Sequence, residues 1–456
     1  MATTTAVKVI EVCMVKPAPN PPEKKLSSSS DDEGNNNYLP LTFFDTIWLK
    51  FLPTKRLFFY EINHLSSYLF YNTILPNLKH SLSITLQHYP SIAGNLTWHP
   101  DTANPVIRYS PHGHADGGGV LFSVSESQTL DFDFLSTDDD FKESKHFHPL
   151  LPDLHVSESE ANLLSLKLTL FPGYGFSIGY SAHHASMDGK STAMFIKSWA
   201  TICRLGGGGA LTPELIPLLD RSFIHDPSNI ATIFTHQWME MIHGNENERS
   251  FVPMEMKPEP GIFRSTFRLT PDQIGQIKAI IKSSRPVSTF TAVCSYIWTC
   301  LVKAEEGDIT KEIVYLNINV DCRSRLEPPI PPTYFGNCIA HRFAMAKVES
   351  LKGGDGLVVA AAAIREAIGS LAGNGGVLKG VEKWFSEVSS IFWNEKVYSI
   401  GGSPLFDFYG VDFGWGRPKK VEMVSFDMNG SFSLCDCRDG NGVIEIGMVK
   451  SFVSLS

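Results

Sequence analysis

The decapeptide SAHHASMDGK, residues 181–190, places two histidines, an aspartate and a glycine between a strand-like run and a helix-like one. An imidazole has a pKa near neutral, so a histidine here could take a proton from a hydroxyl as that oxygen attacks a carbonyl. Asp188, four residues after His184, could fix the loop by pairing with an arginine elsewhere, and Gly189 relaxes the steric demand of a tight turn. A polar loop holding a satisfied structural histidine has the same composition and is the commoner outcome, so the segment alone leaves both readings open.

Two other chemistries compete for attention. Zinc on a helix prefers histidines at i and i+4, whereas this segment reads H-H-x-x-x-D, precedes the helix and lacks a third ligand. Cys435 and Cys437 form C-x-C without a second pair, so no metal is expected. GFSIG, residues 175–179, matches the nucleophile-elbow pattern G-x-S-x-G. An elbow needs a strand that stops at the serine, but Phe176, Ile178 and Tyr180 carry the alternation straight through Ser177. A small polar residue on a strand face is the expected outcome there.

The elements that must position the decapeptide are legible on either side. Leu164, Leu166, Leu168 and Leu170 share one face of a strand, PGYG makes the turn, and Phe176, Ile178 and Tyr180 resume the alternation. This predicts a hairpin of two half-buried strands. After the decapeptide, Met194, Ile196, Trp199 and Ile202 fit a helical face. Upstream, VKVIEVCMV reads as a strand, 24–37 as a polar solvated insertion, and 66–98 as helical before turning at YPSIAGNL. RLGGGGALTPELIPLLD, residues 204–220, is a glycine-rich break and contains no phosphate-loop pattern. Beyond it, FRSTFRL, the cap TPDQ and a helix follow in order, then the helix STFTAVCSYIWTCLVKAE. EIVYLNINVDCRSR predicts a strand, as does PLFDFYGVDFGWGRPKK up to its glycine-aromatic turn, and VEMVSF, SFSLCDC and VIEIGMV predict short strands.

The chain has 456 residues, 43% of them hydrophobic, with mean hydropathy −0.04, which supplies ample core for a globular protein. A net charge of −9 argues against nucleic acid or an anionic membrane as partner, since both select basic surfaces. The apolar run near the N-terminus is broken by Lys8 and Glu11, and the longest run, LVVAAAAI (357–364), falls short of a membrane span and reads as a buried helix. Eight scattered cysteines fit a reducing compartment, so a cytoplasmic protein is expected.

HHASMDG near the middle and DFGWG (412–416) near the end, in that order, resemble the BAHD family of plant acyl-CoA-dependent acyltransferases. LPLTFFDTIWL, SLSITLQHYPSIAGNL, STFTAVCSYIWTCLVK, DCRSRLEPPIPPTYFGNC and VIEIGMV look like family segments, so the resemblance runs over nearly the whole length. YFGNC and HHASMDGKST are most similar to the subgroup acting on anthocyanins and phenolic glucosides, often with malonyl-CoA. The resemblance implies an α/β fold of two chloramphenicol-acetyltransferase-like domains with mixed sheets around a central channel. Those domains would be residues 1–205 and 261–456, with 206–260 as crossover. It implies His184 as general base, Asp188 as the residue that orients the loop through a salt bridge to Arg323, and His183 as a packing or gating neighbour. Asp412, with Gly414 and Gly416, is expected in a structural turn. Ser288 and Thr289 fall where relatives contact the CoA arm, and Lys190 is the candidate for a malonyl carboxylate. The protein would be a monomer acting on small molecules, with acyl-CoA as a cosubstrate and no permanently bound cofactor. Relatives tend to continue into another helix after the EIG strand, whereas this sequence ends at MVKSFVSLS. The alternatives are a hydroxycinnamoyl-CoA-dependent enzyme, an inactive relative that binds CoA esters or glucosides, and a hydrolase using Ser177.

Overall fold

The computed structural model describes residues 6–19, 37–99, 101–110, 118–138, 141–243, 249–254, 261–281, 286–305, 309–372, 376–425, 427 and 430–451. Of the polar stretch 24–37, only Asn37 lies among them, opening the short strand Asn37–Pro40. The hairpin forms as the alternation requires. Strand Leu164–Phe171 pairs antiparallel with Gly175–Ala182, from Gly175 opposite Phe171 to Ala182 opposite Leu164. These two are inner strands of a six-stranded sheet whose other members are Val7–Val15, Val120–Ser127, Thr54–Glu61 and Lys420–Met423.

Both hairpin strands are buried on both faces rather than half-buried as the alternation predicts. The leucine face meets Leu78, Leu82 and Leu86 of helix Leu75–His88 and Trp199 of helix Gly189–Arg204. The polar face is covered by the segment around Leu150. Ser181 Oγ donates to the Pro152 carbonyl at 2.6 Å, and a Cβ on Gly179 would lie 2.4 Å from the Leu150 carbonyl oxygen. Alternation reports the chemistry of a face; it does not report what chain later lies on it.

The second sheet has seven strands in the order Ile339–Lys347, Ile313–Asp321, Lys396–Gly402, Ser431–Asp436, Ile444–Ser451, Ile262–Leu269 and Lys142–Glu143. It is mixed, since Lys396–Gly402 runs parallel to both of its neighbours. Helix Gly356–Gly369 packs on it and against helix Thr289–Ala304. A four-stranded sheet completes the α/β architecture. Each large sheet ends on a strand from the other half of the chain: Lys420–Met423 pairs with residues 56–59, and Lys142–Glu143 with residues 263–264.

Two local expectations differ from what forms. Residues 404–410 are two 3₁₀ turns, Pro404–Phe406 and Phe408–Gly410, instead of a strand. Pro404 has no N–H for a ladder and Asp407 adopts φ 49°, so the chain turns there. The run 357–364 lies in an amphipathic helix. Ala360, Ala361 and Ile364 face the core and Val358 remains 39% exposed, because a run of small residues satisfies one buried stripe without needing a second. Between residues 206 and 260 lies helix Ile230–His243, which buries Phe234, Trp238 and Met239 in the main core. Among the described residues no helix is long and apolar enough to cross a membrane.

Candidate active site

Strand Gly175–Ala182 ends where the histidines begin. The His183 N–H donates to the Leu163 carbonyl at 3.0 Å, holding the strand end in register. His184–Ser186 then forms a 3₁₀ turn, tightened by Ser186 Oγ donating to the His183 carbonyl at 2.6 Å. Asp188 caps the next helix: its Oδ1 accepts from the Ser191 N–H at 2.9 Å. The catalytic-type loop is therefore a short connection between a buried strand and a buried helix, and little backbone freedom is left to it.

Asp188 and Arg323 are brought together as expected. Arg323 Nη1 lies 2.8 Å from Asp188 Oδ2, with both side chains 1% exposed. The same oxygen accepts from the Cys338 N–H at 3.1 Å. Arg323 Nε donates to the Tyr334 carbonyl at 3.1 Å, and Nη2 to the Gly336 carbonyl at 3.0 Å and to Ser191 Oγ at 3.1 Å. Burial opposes the guanidinium's charge, but Asp188 and then Asp321 more than offset it and raise its pKa. Lys190 joins this network from its rim, 3.3 Å from Asp321 Oδ2, with both side chains partly exposed. Gly189 serves close packing rather than an unusual φ, since a Cβ there would sit 2.6 Å from the Phe406 ring.

The His184 ring is set by residues that spacing did not single out. Trp48 stacks on it face to face, with ring centroids 3.8 Å apart and planes within 3°. Phe51 adds an edge at 6.3 Å. The His184 carbonyl accepts from Asn337 Nδ2 at 2.9 Å, and Asn337 donates through both its backbone and side-chain nitrogens to Asp45 Oδ1 at 3.0 Å. Asp45 Oδ2 accepts from the backbone and hydroxyl of Thr42, so the short turn carrying Trp48 and the loop carrying His184 share one polar bracket. His341, from the second sheet, tilts against the same indole at 4.6 Å.

Burial pushes His184 down to about 4, while its own backbone, the Asp188 charge and Asn337 oppose the shift. The ring is thus a neutral base at working pH. Its Nδ1 is shut away without a partner, which leaves Nε2 as the nitrogen to meet a substrate, and the residue is half-buried rather than sealed. His183 is 2% exposed and goes to about 3, first through burial, then through the His184 and Lys50 charges; its Nδ1 accepts from the Ala185 N–H at 3.3 Å. Lys50, 1% exposed, donates to the Val252 carbonyl at 3.1 Å and is itself pushed down to about 8 by burial.

The remaining candidates lie elsewhere. Asp412 Oδ1 accepts from the Gly414 and Gly416 N–H groups at 2.7 and 3.0 Å, a self-contained turn in which both glycines have positive φ. Phe413 fastens that turn to Trp199 at 4.8 Å, so the motif braces the helix that Asp188 caps. Ser288 caps helix Thr289–Ala304 by accepting from the Thr291 N–H, and Thr289 Oγ1 accepts from Lys278 at 2.9 Å. Ser177 is wholly buried mid-strand with no partner for its hydroxyl, which removes the elbow geometry. Recesses of about 320 and 140 Å³ lie among Phe223, Arg325 and Leu378 and among Ser144, His148 and Asp427, and His184 lines neither.

The chain is similar to known proteins over nearly its whole length. The Transferase family matches residues 23–451. A phenolic glucoside malonyltransferase of Arabidopsis thaliana is 37% identical over 97% of this chain and 94% of its own. A malonyl-coenzyme:anthocyanin 5-O-glucoside-6'''-O-malonyltransferase of Salvia splendens is 37% identical over 98% of this chain and 92% of its own. In fold, vinorine synthase matches with TM-score 0.71 at 19% identity, covering 98% of this chain and 96% of its own. With a family match across nearly every residue and such relatives over its full length, the chain belongs to the Transferase family of BAHD acyltransferases and is an acyl-CoA-dependent O-acyltransferase.

Proposed function

We propose that the protein moves a malonyl group from malonyl-CoA to a sugar hydroxyl of a phenolic or flavonoid glucoside, with His184 as general base. The observation that carries this reading is a neutral, half-buried imidazole at the seam of the two halves, its carbonyl held by Asn337 and its loop by Arg323. The names of the relatives supply the donor and acceptor classes.

His184 Nε2 takes the proton as the sugar oxygen bonds to the thioester carbon. The carbonyl electron pair moves to oxygen, returns as the C–S bond breaks, and the departing thiolate recovers the proton from the imidazolium. No acyl-enzyme is required, because holding donor and acceptor together supplies the proximity. Base catalysis contributes roughly 10²–10⁴-fold. A malonyl carboxylate needs a cation or several donors once desolvated. Lys190 is the candidate, and malonate would share it with Asp321. Ser288, Thr289 and Lys278 at a helix start offer hydroxyls and a cation to the CoA arm.

The test is thiol release with malonyl-, hydroxycinnamoyl- and acetyl-CoA against an anthocyanin glucoside and a simple phenolic glucoside. His184→Ala abolishes turnover and Ser177→Ala preserves it. Loss in the serine variant with retention in the histidine variant restores the hydrolase reading, and preference for the aromatic donor replaces malonyl.

A further inference from the structure

The backbone of residues 334–338 is bonded to distant parts of the chain. The Tyr334 carbonyl accepts from Arg323 Nε at 3.1 Å, the Phe335 N–H donates to the Leu218 carbonyl at 2.9 Å, and the Gly336 N–H donates to Ser191 Oγ at 3.1 Å. The Gly336 carbonyl accepts from the same hydroxyl at 2.9 Å, the Asn337 N–H donates to Asp45, and the Cys338 N–H donates to Asp188. This strip is the plate to which the His184 loop, helix Gly189–Arg204 and Asp45 are all fastened. The Phe335 carbonyl accepts from Arg221 Nη1, and Arg221 opens the 3₁₀ turn Arg221–Phe223.

Arg221 is 6% exposed, and its guanidinium lies over the Tyr334 ring at 5.1 Å while that of Arg323 lies over the same ring at 5.8 Å. Burying a cation is costly, and an apolar side chain of similar volume would fill the space as well. What the guanidinium adds is a directed donor. The Phe335 C=O and the Gly336 N–H belong to one planar peptide. Arg221 holds its oxygen and Ser191 its nitrogen, so the plane is held against rotation. Gly336 then takes φ 149°, a value that side chains rarely adopt, and a Cβ there would collide with the Arg221 guanidinium. That angle fixes the tilt of the next peptide, from which Asn337 reaches both Asp45 and the His184 carbonyl.

We propose that Arg221 is a positioning residue for the general base: by holding the Phe335–Gly336 peptide plane it sets Asn337, and through Asn337 the His184 backbone. It touches no reacting atom and acts only through the geometry it imposes. Small displacements of a reacting group cost rate far more than they cost stability, which gives such a bond a kinetic signature. This rests on the His184 reading above and extends the support of that base to a residue outside both its own loop and the Arg323 loop.

The test is a kinetic cycle of Arg221→Met, Asn337→Ala and the two combined, using the CoA ester and glucoside that the wild type turns over fastest. Arg221→Met is expected to lower kcat about 10–10²-fold with KM for both substrates nearly unchanged. Its unfolding midpoint is expected to stay near that of wild type, because an apolar stem still fills the space. The combined variant is expected to match Asn337→Ala within about twofold, since both act on one chain of contacts. Arg221→Lys keeps a cation but loses the planar fork, so an intermediate fall is expected, and it replaces Met in the cycle where Met does not fold. A kcat within about twofold of wild type in the variant used overturns the assignment, as do a loss confined to KM and losses that multiply in the combined variant. His184→Ala measured alongside separates the two ideas: turnover surviving there sinks the base, whereas its loss beside a normal Arg221 variant sinks the positioning role alone.

Discussion

Asp188→Asn isolates the charge of the buried pair from its shape. The amide keeps an oxygen for the Ser191 N–H cap, so helix Gly189–Arg204 still starts in place, but Arg323 loses its buried counter-charge at 2.8 Å. Removing one partner of a buried ion pair costs about 3–5 kcal/mol. Arg323 Nη1 keeps Asp321 at 3.0 Å, and that carboxylate reaches solvent, so the lower end applies: about 3 kcal/mol for the Asn variant. Asp188→Ala also gives up the cap, which adds about 1 kcal/mol. The assay is urea unfolding of wild type, both single variants, Arg323→Leu and the Asp188→Leu/Arg323→Leu double variant, read as midpoints at constant slope. The double variant is expected to lose less than the two singles combined, since an apolar pair leaves no stranded charge. A loss below about 1 kcal/mol for Asp188→Asn, or strict additivity, would refute the reasoning.

His183, His184 and His341 all have pKa values lowered by burial, to about 3, 4 and 3. The unfolded chain therefore binds more protons below about pH 6.5, so stability from these rings is present above that value and drains as pH falls toward 4. Correspondingly, kcat/KM has its acid limb well below 6.5, and a limb at 6.5 in a pH–rate profile would show a solvated imidazole. Asp412→Ala removes two hydrogen bonds in the DFGWG turn and costs about 1 kcal/mol in unfolding midpoint with kcat within about twofold, since no reacting atom is touched. Lys190→Ala lowers malonyl transfer more than acetyl transfer; equal losses in kcat/KM for the two donors would leave Lys190 as a rim partner of Asp321 only.

The elements flanking the site were legible because local chemistry decides them. Alternating leucines and a PGYG turn specify a hairpin, and the TPDQ cap closes as read, with Thr270 and Gln273 each donating to the other's side chain. What failed to show was whatever a distant segment decides. The polar face of the hairpin is buried by residues 150–152, and strand Lys420–Met423 pairs with residues 56–59 of a sheet begun at Val7. Alternation cannot distinguish a face toward water from one that another stretch of chain will cover, and no periodicity announces a strand lent across two halves.

The same division runs through the site. The pairing of Asp188 with Arg323 followed from family resemblance, and the hairpin end placed His184, but nothing near position 184 points to Trp48, Asp45, Asn337 or His341. Those residues act through contacts spanning more than 130 positions, and each alone is an ordinary apolar or polar residue in an ordinary element. Their common mark is visible only in three dimensions: a ring stacked on an indole while its carbonyl is held from across the fold. The hydrogen bonds from Asn337 to the His184 carbonyl and to the Asp45 carboxylate hold that histidine in place from segments that its own stretch of sequence does not contain.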